Sequence, residues 1–259
     1  MSKAFVIGFA FGLALLGIVG AGATRQTQTQ AEKYDAQKYQ AEITDATPVQ
    51  LAALTSKQQF HSRLHNGYGK NLPGESIAQW IVSYGGQRTV LERNVYGRTW
   101  FSSNRPDIPG DYFARLAGES DAIVRGRPIH KTSQITEDDS FLFTDYDVVV
   151  SEVLKNNATD LINTGGTITV TSLGGKIVVD SVIIKAGGNG VALLPINAQD
   201  VLLFLKFVPE TKEYKLANNG AFELNGVSAR PLAGLFNFDP VFFKDETSFL
   251  KTIREVSNR

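Results

Sequence analysis

His61 and His65 are the side chains whose type and spacing most directly suggest chemistry in this chain of 259 residues. A helix would place two imidazoles four residues apart on one face, where they could bind a metal ion, as in zinc proteases. Those proteases need a glutamate directly after the first histidine, and Ser62 occupies that position here. A third ligand would have to come from Glu75 or His130, which sequence spacing does not bring near. We therefore expect both histidines to face solvent, and we assign no metal site.

Three consecutive acidic residues, Glu137, Asp138 and Asp139, supply the hard oxygen atoms that calcium prefers. The run lacks the alternating ligand spacing and the turn glycine of an EF-hand loop. We expect it to form the solvated tip of a hairpin.

Hydrolytic chemistry would have to be assembled from groups that are distant in sequence. Glu137 or Asp145, together with His130, are the groups that a hydrolase acting on an envelope polymer would use. Glycoside cleavage needs two carboxylates at a defined separation in space, which the sequence does not give. The chain also lacks the G-x-S-x-G and G-x-x-x-x-G-K-[ST] motifs. We assign no catalytic and no cofactor-binding residue.

Arg93, Tyr96, Arg98 and Trp100 form the candidate interaction surface. These residue types are enriched among the side chains that dominate binding energy at interfaces. The alternative, which we favour, is that Trp100 and Val95 pack a seam between a helical segment and the β-rich part of the chain.

Four segments must position these groups. Residues 1–23 combine Lys3, an apolar run from residue 5 and the closing Ala21-Gly22-Ala23, which is typical of an export signal. Cleavage after Ala23 is favoured over a retained signal anchor. We therefore expect a periplasmic or extracellular protein, which contacts a membrane only through residues 5–23 if they are kept. Residues 24–46 are polar and glutamine-rich, and they predict a flexible tether.

Composition excludes several classes of protein. The chain has no cysteine, so it has no disulfide, thiol nucleophile, cysteine metal site or acylated cysteine anchor, which fits a bacterial envelope. Lys and Arg together number 26, as do Asp and Glu, and no basic stripe favours nucleic-acid binding.

Residues 47–118 predict a helical segment. Thr47 as N-cap and Pro48 at the first helical position predict a helix that ends at His65. Further helices are expected over 76–84 and 111–118, and residues 89–101 fit a strand, a hairpin or a helix.

Residues 119–259 predict a β domain with a closing helix. Alternation and turn signals predict strands over 122–131, 141–154, 167–173, 176–185, 201–208, 213–217 and 221–224. Gly174-Gly175 and Asn218-Asn219-Gly220 predict hairpins, and Asp245 or Thr247 would cap a C-terminal helix. The expected fold class is α+β: an N-terminal helical segment, then an antiparallel β-barrel or sandwich with a C-terminal helix.

Residues 120–226 resemble the OB-fold-like barrel of bacterial netrin-like, or metalloproteinase-inhibitor-like, domains. The likeness lies in the order of SDAIVRGRPI, FTDYDVVVSEVLKN, GGTITV, AQDVLLFLK and GAFELNG. Animal inhibitors of this kind act through an N-terminal cysteine, which this chain lacks. The resemblance therefore implies a fold but neither inhibitor activity nor site residues.

The sequence predicts an exported, non-catalytic envelope or extracellular binding module. Its partner would be a protein or another envelope component. A hydrolase acting on an envelope polymer is the first alternative, and a structural, self-associating envelope protein is the second.

Overall fold

A computed structural model describes residues 39–40, 42–43, 45–48, 54–67, 76–94, 109–156, 159–188, 190–196, 199–234 and 244–258. The chain divides into a unit of residues 1–45 and a unit of residues 46–259. In the first unit, residues 39–40 and 42–43 are helical. The export segment of residues 5–23 lies outside the described residues. Within those ranges no helix is long and apolar enough to cross a membrane.

The second unit contains four described helices and ten described strands, which confirms the α+β class. The helices are α1 (Ser56–His65), α2 (Ile77–Tyr84), α3 (Pro109–Glu119) and α4 (Glu246–Ser257). The strands are β1 (Thr47–Pro48), β2 (Thr89–Asn94), β3 (Ala122–Ile135), β4 (Leu142–Asn156), β5 (Thr167–Leu173), β6 (Gly175–Val179), β7 (Val182–Gly187), β8 (Asp200–Val208), β9 (Glu213–Leu224) and β10 (Ala229–Pro231).

The strands form two sheets whose ladders are mostly antiparallel. The smaller sheet has the order β1-β6-β7-β2, and the larger has the order β10-β9-β5-β4-β3-β8. In the larger sheet β8 also pairs with β9, and β5 pairs with β9 in parallel. Long strands with period-two burial produce this sheet, because one face of each strand packs inward while the other faces outward.

Three groups of apolar side chains form the core. On β8, Leu202 and Phe204 contact α3 and α4, whereas Leu203 and Leu205 pack on the opposite side with Tyr146 and its neighbours. The third group joins α2 to the smaller sheet, and it includes Ile77, Ile81, Ile177, Val182 and Ile184. The larger sheet is therefore anchored by α3 and α4, and the smaller sheet is anchored by α2.

Local signals placed several elements correctly. Ser76 caps α2 through a capping box with Gln79, and Asp245 caps α4 by accepting the amide of Thr247. The predicted strand over 201–208 is β8, whose apolar side chains are almost all buried.

Four expectations about local structure were wrong. Gly174-Gly175 does not turn a hairpin, because β5 before it belongs to the larger sheet and β6 after it belongs to the smaller sheet. No helix begins at Thr47: Thr47–Pro48 is a strand paired with β6, and α1 begins after the N-cap Thr55. The expected strand over 176–185 is a hairpin, since Asp180 and Ser181 both take the positive φ angles, 46° and 69°, that a two-residue turn needs. Residues 218–220 do not form a hairpin, because β9 runs continuously through them from Glu213 to Leu224.

Candidate functional site

Helix α1 lies on the polar outer face of the larger sheet. Along β4, Tyr146 packs inward, so its neighbours Asp145 and Asp147 point outward. Asp145 pairs in register with Thr171 of β5. We call the outward surface of β4, β5 and β9 that carries Asp145, Asp147 and Glu213 the acidic face.

His61 of α1 is held between two carboxylates of the acidic face. Its Nδ1 lies 2.9 Å from Asp145 Oδ1, and its Nε2 lies 3.0 Å from Glu213 Oε2. Nε2 is also 3.1 Å from Thr211 Oγ1, and only this second contact of Nε2 has hydrogen-bond geometry. Glu213 therefore acts on the ring through charge attraction, while Asp145 and Thr211 accept its two N–H groups.

The His61 ring is completely buried and carries a positive charge at neutral pH. Burial alone lowers the pKa, but the hydrogen bond to Asp145 and the carboxylate of Glu213 outweigh burial and raise the pKa of His61 to about 9. The expectation that this histidine faces solvent was wrong. The sequence could not show that carboxylates from two strands would meet it.

Glu213 also joins the first turn of α1 to β9. Its other carboxylate oxygen forms an ion pair with Lys57, whose side chain is half-exposed. Burial raises the pKa of Glu213, but the neighbouring His61 imidazolium, the Lys57 ammonium and Thr169 outweigh burial and hold that pKa below its usual value. Glu213 is therefore ionised at neutral pH and pairs with two positive charges of the helix, those of Lys57 and His61.

His65 is also buried, but its ring is uncharged at neutral pH. Its Nε2 lies 3.3 Å from Thr171 Oγ1, and its ring stacks on Phe143 with 6.2 Å between ring centroids. Burial is the main cause that lowers the pKa of His65 to about 3, with smaller contributions from Lys215 and His61. His65 is therefore neutral at pH 7, and the prediction that it faces solvent was also wrong.

The acidic loop of residues 137–139 is the tip of the β3–β4 hairpin, as expected, but it also fixes two helices. Ser62 Oγ accepts the Glu137 amide, and an Asp138 carboxylate oxygen accepts the Gly67 amide at 2.7 Å. Both carboxylate oxygens of Asp139 lie 3.0 Å from the amide nitrogen of Ala78 in the first turn of α2. Glu137 is exposed, but Asp138 and Asp139 are half-buried and bonded to protein groups.

The described ranges, which exclude Glu75, contain no group of three or more His, Asp or Glu side chains that could hold a metal ion. His130 lies apart from His61 and His65. Its Nδ1 is 3.4 Å from Asp147; the His130 side chain is largely exposed and that of Asp147 is half-exposed. Asp145 therefore bonds to His61 and not to His130, which separates the pair considered for hydrolysis.

Asp145, His61 and Thr211 follow the order carboxylate, imidazole, hydroxyl found in nucleophilic triads. A triad histidine must be neutral to accept the proton of the hydroxyl. Glu213 beside Nε2 keeps the ring protonated, and the ring is shielded from solvent. At neutral pH this arrangement therefore holds α1 on the sheet and does not activate Thr211.

Of the candidate interaction surface, the structure describes Arg93 alone. Its side chain is buried, its guanidinium lies 4.7 Å from the centre of the Trp80 ring, and it donates a hydrogen bond to the Ser140 carbonyl. Tyr96, Arg98 and Trp100 lie outside the described residues, so the surface itself stays a prediction.

No protein-family model matches the chain, and no curated protein matches it either. The site therefore has to be interpreted from its own geometry. Thr171, Thr211 and Glu213 also belong to the site, and no motif in the sequence singles them out. A signal existed, because polar residues alternate along 167–171 and Asp145 and Asp147 flank the apolar Tyr146, which indicates a polar outer face. Nothing in that pattern names the helix that lies on it.

Proposed function

We propose that the chain is an exported, non-catalytic binding module of the envelope or extracellular space, built on an OB-fold-like barrel. The ladder order supports this architecture: β3, β4, β5, β9 and β8 pair in succession, and β8 pairs back with β3. An OB-fold is a five-stranded Greek-key barrel, and it binds ligands on its second and third strands and on two adjoining loops.

The observation that carries the proposal is the location of the acidic face. The second and third strands of the proposed barrel are β4 and β5, and the adjoining loops are residues 136–141 and 209–212. These are the same elements that meet α1 through Asp145, Thr171 and Thr211. A partner of this face has to complement carboxylates, which favours a cationic protein or envelope component over nucleic acid.

Capture from native envelope material tests the proposal. We expect the full chain to retain a partner that Asp147→Lys loses, since Asp147 is a half-exposed carboxylate of the acidic face. Glu255→Lys makes the same charge change at an exposed position of α4 and is the matched control. Equal capture by the two variants, or no capture by the parent chain, would contradict binding at this face.

Export rests on residues 5–23, and N-terminal sequencing of the mature protein tests it. A mature chain that begins at Thr24 supports cleavage after Ala23. A chain that begins at Met1 overturns cleavage and leaves the retained anchor.

A hydrolase is the second candidate, and the array of Asp145, His61 and Thr211 is the observation that favours it. If Thr211 is a nucleophile, Thr211→Val abolishes hydrolysis of envelope polymers, and Glu213→Gln increases hydrolysis at neutral pH because it lowers the pKa of His61 and raises the fraction of neutral imidazole. We expect neither effect.

A further inference from the structure

Helix α1 is attached to the sheet by polar side chains. Its buried side chains are those of His61, Ser62 and His65, while Phe60 and Leu64 are only half-buried. Among the described residues, the three apolar core groups include no member of α1. Removing this helix therefore loses the stacking of His65 on Phe143 but leaves the three apolar core groups intact.

The charges of α1 complement the surface beneath it. The helix carries Lys57, Arg63 and the imidazolium of His61, and its sequence SKQQFHSRLH has no acidic residue. The sheet presents Asp145 from β4 and Glu213 from β9 to His61, and it presents Lys215 from β9 towards His65. The helix therefore already occupies the acidic face as a cationic segment would.

We propose that α1 is a releasable cover over a docking surface for cationic polypeptide segments, and that the buried contacts of His61 and His65 with the sheet control its release. The identity of the docking surface rests on the proposed function, whereas the release of α1 does not. Once α1 leaves, Asp145 and Glu213 lose their cationic partners and are open to those of another chain.

The two histidines limit docking from opposite sides of neutrality. His61 has a raised pKa, so its contribution is complete below pH 6.5 and is lost as the pH rises through about 9. His65 has a lowered pKa, so its contribution is present above pH 6.5 and is lost as the pH falls towards 3. Together they place the strongest docking near pH 6.5, with a decrease of about 50-fold by pH 9.5 and about 20-fold by pH 4.5.

Hydrogen–deuterium exchange of the full chain tests release directly. After correction for intrinsic exchange, we expect the protection of α1 amides to peak near pH 6.5 and to fall by these factors on either side. Helix α4 is the internal control, because it is anchored by Phe249 and Ile253 in an apolar core. Protection of α1 that stays parallel to that of α4 across this range would overturn the proposal.

Two variants test separately the loss of α1 protection at acid pH and the loss at alkaline pH. His65→Gln should remove the acid-side loss and keep the alkaline-side loss, while His61→Gln should lower protection at pH 6.5 and remove the alkaline-side loss. A wild-type profile that has both sides but is unchanged in both variants would show that other groups govern release.

A decalysine peptide then probes the exposed surface at pH 6.5. We expect it to shift the amide resonances of Thr171 and Glu213 in the His61→Gln chain and to leave them unchanged in the parent chain. No shift in a variant whose α1 amides are unprotected would overturn the cationic partner. That result differs from a failure of envelope capture, because exchange and peptide binding need no natural ligand.

Discussion

Replacing Asp145 by Asn removes one of the two carboxylates that keep His61 protonated. The amide oxygen of Asn can still accept the Nδ1 proton, which lies 2.9 Å from Asp145 Oδ1, but it carries no charge. The pKa of His61 is raised from 6.5 to about 9, a difference of 2.5, and this corresponds to about 3 kcal/mol of preference for the charged ring. This preference is what remains after burial has opposed the charge, so Asp145 and Glu213 together supply more than it, and Asp145→Asn should cost about 2 kcal/mol at pH 7.

The assay is an NMR titration of the imidazole resonances, which are simple to assign because the chain has three histidines. The pKa of His61 should lie near 9 in the parent chain and should fall towards 6.5 in Asp145→Asn. Urea unfolding should show the loss of stability at pH 7 but little difference between the proteins at pH 10, where His61 is neutral in both.

Asp147→Asn is the matched control. It makes the same change two residues along β4, where the carboxylate faces the exposed His130 at 3.4 Å. We expect its stability to stay within about 0.5 kcal/mol of the parent value. Equal losses in the two variants, or a wild-type His61 that titrates near 6.5, would refute the reasoning.

Two further substitutions test the packing of the smaller sheet. Gly175→Ala should cost about 2–3 kcal/mol in urea unfolding, because a Cβ atom there would overlap side-chain hydroxyls of β3 and β4. Gly187→Ala, where the nearest atom lies 3.9 Å away, should change little. Arg93→Ala should cost about 1–3 kcal/mol, since it removes the contact with Trp80 and the hydrogen bond to a buried carbonyl. Arg88→Ala, at an exposed position before β2, is its control, and equal losses would contradict the packing role of Arg93.

The strands of the larger sheet could be predicted from sequence because their burial alternates with period two. In β4, Tyr146, Val148 and Val150 pack inward between polar or half-buried neighbours. Helix α4 was equally accessible to prediction, because Phe249 and Ile253 lie on one face behind an aspartate cap. In both cases the apolar side chains that the local pattern places on one face are the ones buried in the folded chain.

The position of α1 on the sheet could not be predicted, because this helix buries polar side chains where a helix usually buries apolar ones. Helical spacing of Phe60 and Leu64 predicts an apolar face towards a core, yet the helix buries His61 and His65 instead. The cause is Asp145, which is 84 residues away in sequence and reaches His61 through the pairing of strands. The pattern of residues within one segment does not predict a contact between residues so far apart in sequence.

The contacts under α1 determine the conditions under which the helix stays on the sheet. Well-packed apolar side chains commonly stabilise as much as a buried ion pair or more, because burying charges requires their desolvation. A helix intended only to stabilise the sheet would therefore bury Phe60 and Leu64 and expose its histidines. This helix instead buries one charged and one neutral imidazole, which makes its attachment depend on two proton equilibria while α3 and α4 hold the sheet through apolar packing. Stability and access to the acidic face are thus assigned to different helices, so α1 can leave without unfolding the surface that it covers.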